Sequence, residues 1–224
     1  MQTQAATSSP PIEQPVEPRE LPQRVILRGI SWQTYESLLA DLAECSGPRL
    51  TFDHGVLEIM SPTFEHDEYN RILALLVEVV AEEMHISVRN FGSATFKRLD
   101  LVKGFEPDSC FYIQSVSRIR GKRKVELPQD PPPDLLIEID VTSSSLGRFP
   151  IFAQVGAPEV WRYDGSQVQI LLLANGQYQI VERSTALPLL TATMLTEFLE
   201  AGIELDRLEW LGRLRSWVRQ HNKA

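Results

Sequence analysis

The chain has 224 residues, of which 43% are hydrophobic and 23% charged, as in an ordinary globular protein. Its 30 acidic and 22 basic residues give a net charge of −8, which excludes a surface that is positive all over but permits a local basic patch. Two cysteines exclude a disulfide scaffold, and no uncharged apolar run approaches the roughly 20 residues of a membrane helix. Because residues 1–22 also lack the basic start and apolar run of a signal peptide, we expect a cytoplasmic protein without a membrane partner.

The N-terminal part of the chain divides into a tail and the start of a folded region. Residues 1–22 hold five of the 15 prolines and little apolar content, so we expect a disordered tail over 1–24 and one domain over 25–224. Ser31 is a good N-cap for a helix near 32–42. Two apolar runs flank Asp53-His54-Gly55, which predicts a hairpin, and Pro62 ends its second strand.

The rest of the chain alternates between helical and strand-like patterns. Helices are predicted over 65–84, 146–155, 191–201 and 205–220, and strands over 87–91, 94–98, 105–113, 135–141, 160–163, 168–173 and 178–181. Asp164-Gly165 and Asn175-Gly176 separate the last three strands and are strong hairpin signals. This order predicts an α/β or α+β fold with a central mixed β-sheet flanked by helices.

Several common catalytic motifs are missing from the sequence. There is no GxxxxGK[ST] or GxGxxG loop to bind phosphates, no GxSxG nucleophile motif, and no HExxH pattern among the four histidines. These absences argue against the usual nucleotide-binding loops, nucleophile-elbow hydrolases and zinc proteases. Carboxylates remain as the candidate chemical groups.

Three carboxylates stand out by their position. Asp108 follows Glu106-Pro107, while Glu138 and Asp140 lie in an otherwise apolar strand and point to one face of it, opposite to Ile137. Acids in an apolar strand need hydrogen bonds, cations or a metal. Oxygen ligands of this kind suit Mg²⁺ or Mn²⁺, so Asp108, Glu138 and Asp140 are candidate metal ligands. The alternative is that Glu138 and Asp140 sit at a strand end and pair with arginines.

Four segments in order carry a family resemblance: Met60-Ser61-Pro62 leading to Glu65-His66, Glu106-Pro107-Asp108, the strand from Pro133 to Glu138, and the run from Gly156 to Asp164. Together they resemble the PD-(D/E)XK nuclease superfamily and, more closely, the Uma-two family of restriction-endonuclease-like proteins. The resemblance covers about residues 25–215.

The resemblance implies a restriction-endonuclease-like core and a metal-dependent endonuclease that hydrolyses phosphodiester bonds of DNA. Asp108 and Glu138 would bind Mg²⁺ or Mn²⁺, and Glu65 would orient the metal-bound water or another ligand. His66 could face inward beside Glu65, or could cap the helix or lie on the surface. Enzymes of the restriction type often act as dimers, so a homodimer is expected by analogy.

One position departs from the superfamily pattern. Asp140 stands where a lysine is expected two residues after Glu138. The positive charge would then come from Arg148 or from Lys97, both of which could instead form local salt bridges. The departure supports a second hypothesis, in which a catalytically decayed nuclease fold acts as a nucleic-acid-binding or interaction module. In a third hypothesis the acids only form ion pairs within a structural protein.

A basic segment follows the strand of Asp108. In this basic segment, residues 118–124, five of seven residues are basic: Arg118, Arg120, Lys122, Arg123 and Lys124. Such a segment can contact nucleic-acid phosphates with salt-sensitive affinity, although it can equally be a solvated loop.

Overall fold

The computed structural model describes residues 22–43, 47–141 and 147–222. The helices within these ranges are α1 (Trp32–Asp41), α2 (Phe64–Glu83), α3 (Arg148–Val155), α4 (Ala192–Glu204) and α5 (Arg207–His221). The strands are β1 (Gln23–Arg28), β2 (Arg49–Asp53), β3 (Val56–Ser61), β4 (Arg89–Gly92), β5 (Phe96–Arg98), β6 (Lys103–Phe105), β7 (Ser109–Tyr112), β8 (Leu135–Ile139), β9 (Glu159–Tyr163), β10 (Val168–Ala174) and β11 (Gln177–Val181). Residues 1–21 of the predicted tail lie outside the described residues, and β1 begins two residues before the predicted domain start. The prediction of one domain over 25–224 stays a prediction.

The strands form two sheets rather than the single sheet predicted. One sheet has the order β1-β3-β2-β6-β5 with every pair antiparallel, and the other has the order β11-β10-β9-β8-β7-β4. In the second sheet β8 and β9 are parallel and the other neighbours antiparallel. The second sheet therefore confirms the mixed sheet, and α3 supplies the crossover that a parallel pair requires.

Two hairpins follow from their turn residues. The turns are formed by His54-Gly55 and by Asn175-Gly176. All four residues have a positive φ, between 45° and 85°. A two-residue turn with positive φ at both positions matches the twist of the strands it joins. The hairpins β2–β3 and β10–β11 form at these turns as the sequence predicts.

The six-stranded sheet carries hydrophobic cores on both faces. Helix α2 starts at the N-cap Thr63, whose hydroxyl accepts the His66 backbone N–H, and packs with α4 and α5 on one face. On β8, Leu135, Ile137 and Ile139 belong to this core. Leu136 points the other way, into a core shared with α3 and with aromatic residues of β5 and β6. This alternation puts Glu138 on the α3 face, where α3 and the five-stranded sheet meet β8.

The predicted strand over 105–113 is split by Pro107. Its first part, β6, lies in the five-stranded sheet, whereas its second part, β7, lies in the six-stranded sheet. Proline lacks an N–H for a sheet ladder and so ends one strand and allows the next to change sheets. Asp108 consequently lies at the junction of the two sheets.

Candidate active site

Asp108 and Glu138 meet across two neighbouring strands. Ser109 of β7 pairs with Ile137 of β8 in an antiparallel register, so the residue before Ser109 and the residue after Ile137 come opposite each other. The Oδ2 atom of Asp108 accepts the backbone N–H of Ile139 at 2.8 Å. Both carboxylates are buried, at 2% and 5% exposure. The structure therefore brings together two of the acids that the sequence singled out.

Helix α2 covers Asp108 with two side chains of its first turns. His66 is 1% exposed, and its Nε2 lies 3.3 Å from Oδ2 of Asp108. One turn later, Asn70 donates from Nδ2 to the backbone carbonyl of Asp108 at 3.0 Å. His66 thus faces inward, which answers the question that the sequence left open about its side chain.

Arg148 links Glu138 to the five-stranded sheet. It is the first residue of α3 and donates from Nη1 to Oε2 of Glu138 at 2.8 Å. Its Nη2 lies 3.5 Å from Oε1 of Glu58, a fully buried residue of β3. Arg24 of β1 donates from Nη1 to the same Glu58 oxygen at 3.0 Å. Two arginines and two buried acids therefore form one chain of charges across the junction of the sheets.

Burial and charge drive the pKa values of the two central acids apart. Burial raises the pKa of Glu138 to about 7, and Asp108 adds to this rise while Arg148 opposes it. Burial also acts to raise the pKa of Asp108, but His66, Arg148 and the Ile139 N–H outweigh it, so that pKa lies below its usual value. The His66 pKa is raised, because Asp108 and Glu138 outweigh the effect of burial. Two carboxyl groups with opposed pKa shifts in one site are typical of a functional centre.

A cavity of about 230 Å³ opens beside Glu138. The residues that line it are Arg24, Glu138, Ile139, Asp140, Gly147, Arg148, Phe149 and Arg162. Glu138 and Asp140 both line it, as does Ile139 between them, and the prediction that the two acids share a face of the strand stays a prediction. Asp140 accepts from Nε and Nη2 of Arg162 at 3.1 and 2.8 Å. The arginine pairing that the sequence offered as an alternative is thus present at Asp140, and it is present at Glu138 as well, through Arg148.

The carboxylates retain oxygen atoms that could bind a cation. One oxygen each of Asp108 (Oδ1), Glu138 (Oε1) and Asp140 (Oδ1) is buried and has no hydrogen-bond partner among the described residues. Within 22–43, 47–141 and 147–222, no three His, Cys, Asp or Glu side chains form a group that could hold a metal ion. Mg²⁺, however, is usually held by one or two carboxylates together with water and substrate oxygens. The Asp108–Glu138 pair fits that kind of site.

Glu65 lies in the first turn of α2, next to His66, and is half-buried. Its Oε1 accepts the hydroxyl of Tyr69 at 2.7 Å, and the Tyr69 ring packs on Tyr163 with centroids 4.8 Å apart. The predicted role of Glu65 in orienting water stays a prediction.

The other predicted cations lie elsewhere. Lys97 is on β5, which pairs with β6, and it donates to Glu36 of α1 at 2.8 Å with its side chain 43% exposed. In the basic segment Arg118, Arg120, Arg123 and Lys124 are exposed, and Lys122 forms an ion pair with Asp130. Arg89 of the edge strand β4 holds this segment through the carbonyls of Ile119 and Lys122. These contacts place the basic segment at the β4 edge of the six-stranded sheet.

Sequence reasoning missed Glu58, Arg24 and Arg162. Like Glu138, Glu58 is an acid among the apolar residues of a strand. It lies in a hairpin, however, and hairpin strands often expose one polar face to solvent, so the residue did not stand out. Arg24 lies on β1, for which the sequence predicted no strand and only that the folded domain begins nearby. The roles of Glu58 and Arg24 depend on which strands meet across the junction, and that of Arg162 on the pairing of β9 with β8, and local patterns encode neither.

A comparison with models of protein families matches residues 32–207, well over half of the chain, to Uma2, described as "Putative restriction endonuclease". No match was found among the curated proteins. Among solved structures, the chain is similar to a protein from Anabaena variabilis described as a "putative nuclease belonging to DUF820". The two share 17% sequence identity over 72% of this chain and 98% of that chain, with a TM-score of 0.47.

Proposed function

Since the chain belongs to the Uma2 family of restriction-endonuclease-like proteins, we propose that it is a metal-dependent endonuclease that hydrolyses phosphodiester bonds of DNA. One observation carries the proposal. Asp108, directly before β7, lies opposite Glu138 of β8, and each keeps a buried carboxylate oxygen without a hydrogen-bond partner. Arg148 and His66 each face one oxygen of these carboxylates, and a bound cation would satisfy the oxygens that remain.

Asp108 and Glu138 would hold Mg²⁺ or Mn²⁺, with Asp140 as the third predicted ligand. When bound, such an ion lowers the pKa of a water and stabilises charge on a phosphoryl oxygen. The protein fixes the two carboxylates beforehand: His66 and the Ile139 N–H hold Asp108, and Arg148 holds Glu138. Glu65, at the start of α2, is proposed to orient the attacking water.

Arg148 takes the role of the lysine that the superfamily places at position 140. Its Nε and Nη2 are buried and have no hydrogen-bond partner in the described part of the chain. They can therefore donate to the oxygens of a phosphate as negative charge develops there. Burial acts to lower the pKa of Arg148, but the nearby carboxylates of Glu138 and Asp108 outweigh it and raise that pKa. Arg148 therefore stays protonated. It can stabilise charge but cannot act as a base.

A second candidate is a nucleic-acid-binding module that has lost catalysis. The observation that favours it is Asp140, which stands in the lysine position and is bound by Arg162. In either case we propose DNA as the partner, with segment 118–124 as an additional phosphate contact. We also propose a homodimer, since cleaving two strands requires two active sites.

The test is a plasmid nicking assay in Mg²⁺, Mn²⁺ or EDTA. The native chain should nick DNA only with a divalent ion, and both Asp108→Ala and Glu138→Ala should abolish nicking. Asp100→Ala, an exposed acid that pairs with Arg98, is the matched control and should cleave normally. Nicking that persists in EDTA or in both variants would overturn the metal mechanism. DNA binding by a native chain that never cleaves would favour the binding module.

A further inference from the structure

The cavity beside Glu138 carries more positive groups than the proposed chemistry uses. Arg24, Arg148 and Arg162 all line it, although only Arg148 was expected from the sequence. Arg24 comes from β1, the first strand of the five-stranded sheet, and so from a different sheet than Glu138. Its presence at this cavity calls for a physical reason.

Glu58 explains how two arginines share one small space. Its Oε1 lies 3.0 Å from Nη1 of Arg24 and 3.5 Å from Nη2 of Arg148. Without this fully buried carboxylate the two guanidinium groups would repel each other. Glu58 is therefore a positioning residue that holds both arginines at the same wall.

The two arginines keep donors available. Nε of Arg24 and both Nε and Nη2 of Arg148 are buried and have no hydrogen-bond partner among the residues that the structure describes. Arg148 as a whole is only 6% exposed and its Nη2 lies 3.5 Å from Glu58, so these donors reach a phosphate oxygen once the side chains turn towards the cavity that they line. Buried N–H donors of arginine that lack acceptors match the oxygens of a phosphate, which guanidinium groups bind in a forked geometry.

The size of the cavity limits what can enter it. About 230 Å³ is below the roughly 300–1,000 Å³ typical of pockets that enclose a whole small ligand. A single phosphate group fits this description better than a nucleoside. The ligand class is then one phosphate of a nucleic-acid backbone, with the rest of the polymer outside the cavity.

From this geometry we propose that Arg24 is a phosphate-binding residue. It and Arg148, held together by Glu58, form a subsite for one backbone phosphate of DNA. That the ligand is DNA rests on the proposed function. The contact from Arg24 of β1 is new, because neither the family pattern nor the sequence indicated it. The alternative is that Arg24 only neutralises buried Glu58.

Salt dependence of DNA binding separates these two roles. Each phosphate that a protein neutralises contributes about 0.9 to the slope of log affinity against log salt. We would measure binding of a fluorescent DNA duplex by anisotropy in EDTA, where metal-dependent cleavage cannot occur, over a range of salt concentrations. The proteins are the native chain, Arg24→Gln, Arg24→Lys and the matched control Arg28→Gln, an exposed arginine of the same strand.

We expect Arg24→Gln to bind about tenfold more weakly and to lower the slope by about 0.9, with Arg24→Lys retaining the slope and Arg28→Gln matching the native chain. Because Arg24→Gln leaves Glu58 with one arginine fewer, the double variant Arg24→Gln/Glu58→Gln serves as a folded reference and should show the same lost slope. A native slope in both variants, or no DNA binding by the native chain, would overturn the proposal. If the native chain nicks DNA but the Arg24 variants keep the native slope, only the Arg24 site is rejected. If the slope depends on Arg24 but the native chain does not nick DNA, only the nuclease activity is rejected.

Discussion

The Oδ2 atom of Asp108 accepts the backbone N–H of Ile139, the residue next to Glu138. This bond ties the carboxylate that precedes β7 to the strand that carries its partner, and it leaves Oδ1 of Asp108 without a hydrogen bond. The bond thus fixes the connection that carries Asp108 to the sheet that carries Glu138. A site held by a sheet is more exact than one on an unsupported loop.

Removing Arg148 should destabilise the fold as well as the chemistry. Arg148→Met leaves Glu138 and Glu58 buried with fewer cations, so we expect a loss of about 3–5 kcal/mol in the free energy of unfolding. Adding Glu138→Gln should recover about 1–3 kcal/mol, because the uncompensated charge is then gone. Urea unfolding of both single variants and the double variant measures this coupling.

The control for that cycle is Lys97→Met, whose pair with Glu36 is 43% and 45% exposed. It should cost no more than about 1 kcal/mol. Strictly additive effects of Arg148→Met and Glu138→Gln would contradict the account of a coupled buried pair.

Glu159 should be a structural acid without a part in catalysis. It is fully buried on β9, and its carboxylate accepts from the Trp161 indole at 2.6 Å and from Thr185 and Ala186 at 2.7 to 2.9 Å. Glu159→Ala would leave these donors unsatisfied, and we expect a loss of about 3 kcal/mol or more in urea unfolding. Glu200→Ala, at an exposed position of α4, should change stability by less than about 0.5 kcal/mol. Equal stability of the two variants would show that the Glu159 network contributes nothing.

Contacts between α2 and α5 should make stability depend on pH. Glu83 of α2 accepts from Arg215 and Arg219 of α5 at 2.7 to 2.9 Å, and these arginines lower its pKa from 4.5 to about 2. A lowered folded-state pKa adds stability above the ordinary value of 4.5 and loses it as pH falls towards 2. The difference in Tm between the native chain and Glu83→Gln should therefore be largest near neutral pH and shrink between pH 4.5 and 2.

Glu82→Gln is the matched variant for this test. Glu82 precedes Glu83, contacts only Arg215 among these arginines at 3.1 Å, and is 67% exposed. Its Tm difference should be smaller at every pH. A Tm difference for Glu83→Gln that does not change with pH would contradict the ion-pair explanation.

Local patterns sufficed for much of the fold and part of the site. The two-residue period of a strand drew attention to Glu138 and Asp140 together, and both line the same cavity. The predicted helix after that strand placed Arg148, which contacts Glu138. The turn residues at 54–55 and 175–176 fixed their hairpins through positive φ. In each case the information lies within a few residues.

Features that depend on distant pairing could not be read in this way. The division into two sheets follows from Pro107 together with the pairing of β2 with β6, whose partner residues are 50 to 54 positions apart in sequence. The same division brings Glu58 and Arg24 to Glu138 and moves Lys97 towards Glu36. A carboxylate in a strand indicates a need for a partner, but the identity of the partner depends on topology.

The central claim is that Asp108 and Glu138 bind a divalent cation, and a calorimetric titration with Mn²⁺ tests it most directly. The native chain should bind Mn²⁺, and Asp108→Asn and Glu138→Gln should each weaken binding by roughly tenfold or more, while Asp100→Asn binds as the native chain does. Native-like Mn²⁺ affinity in both site variants, or no binding by the native chain, would contradict the claim.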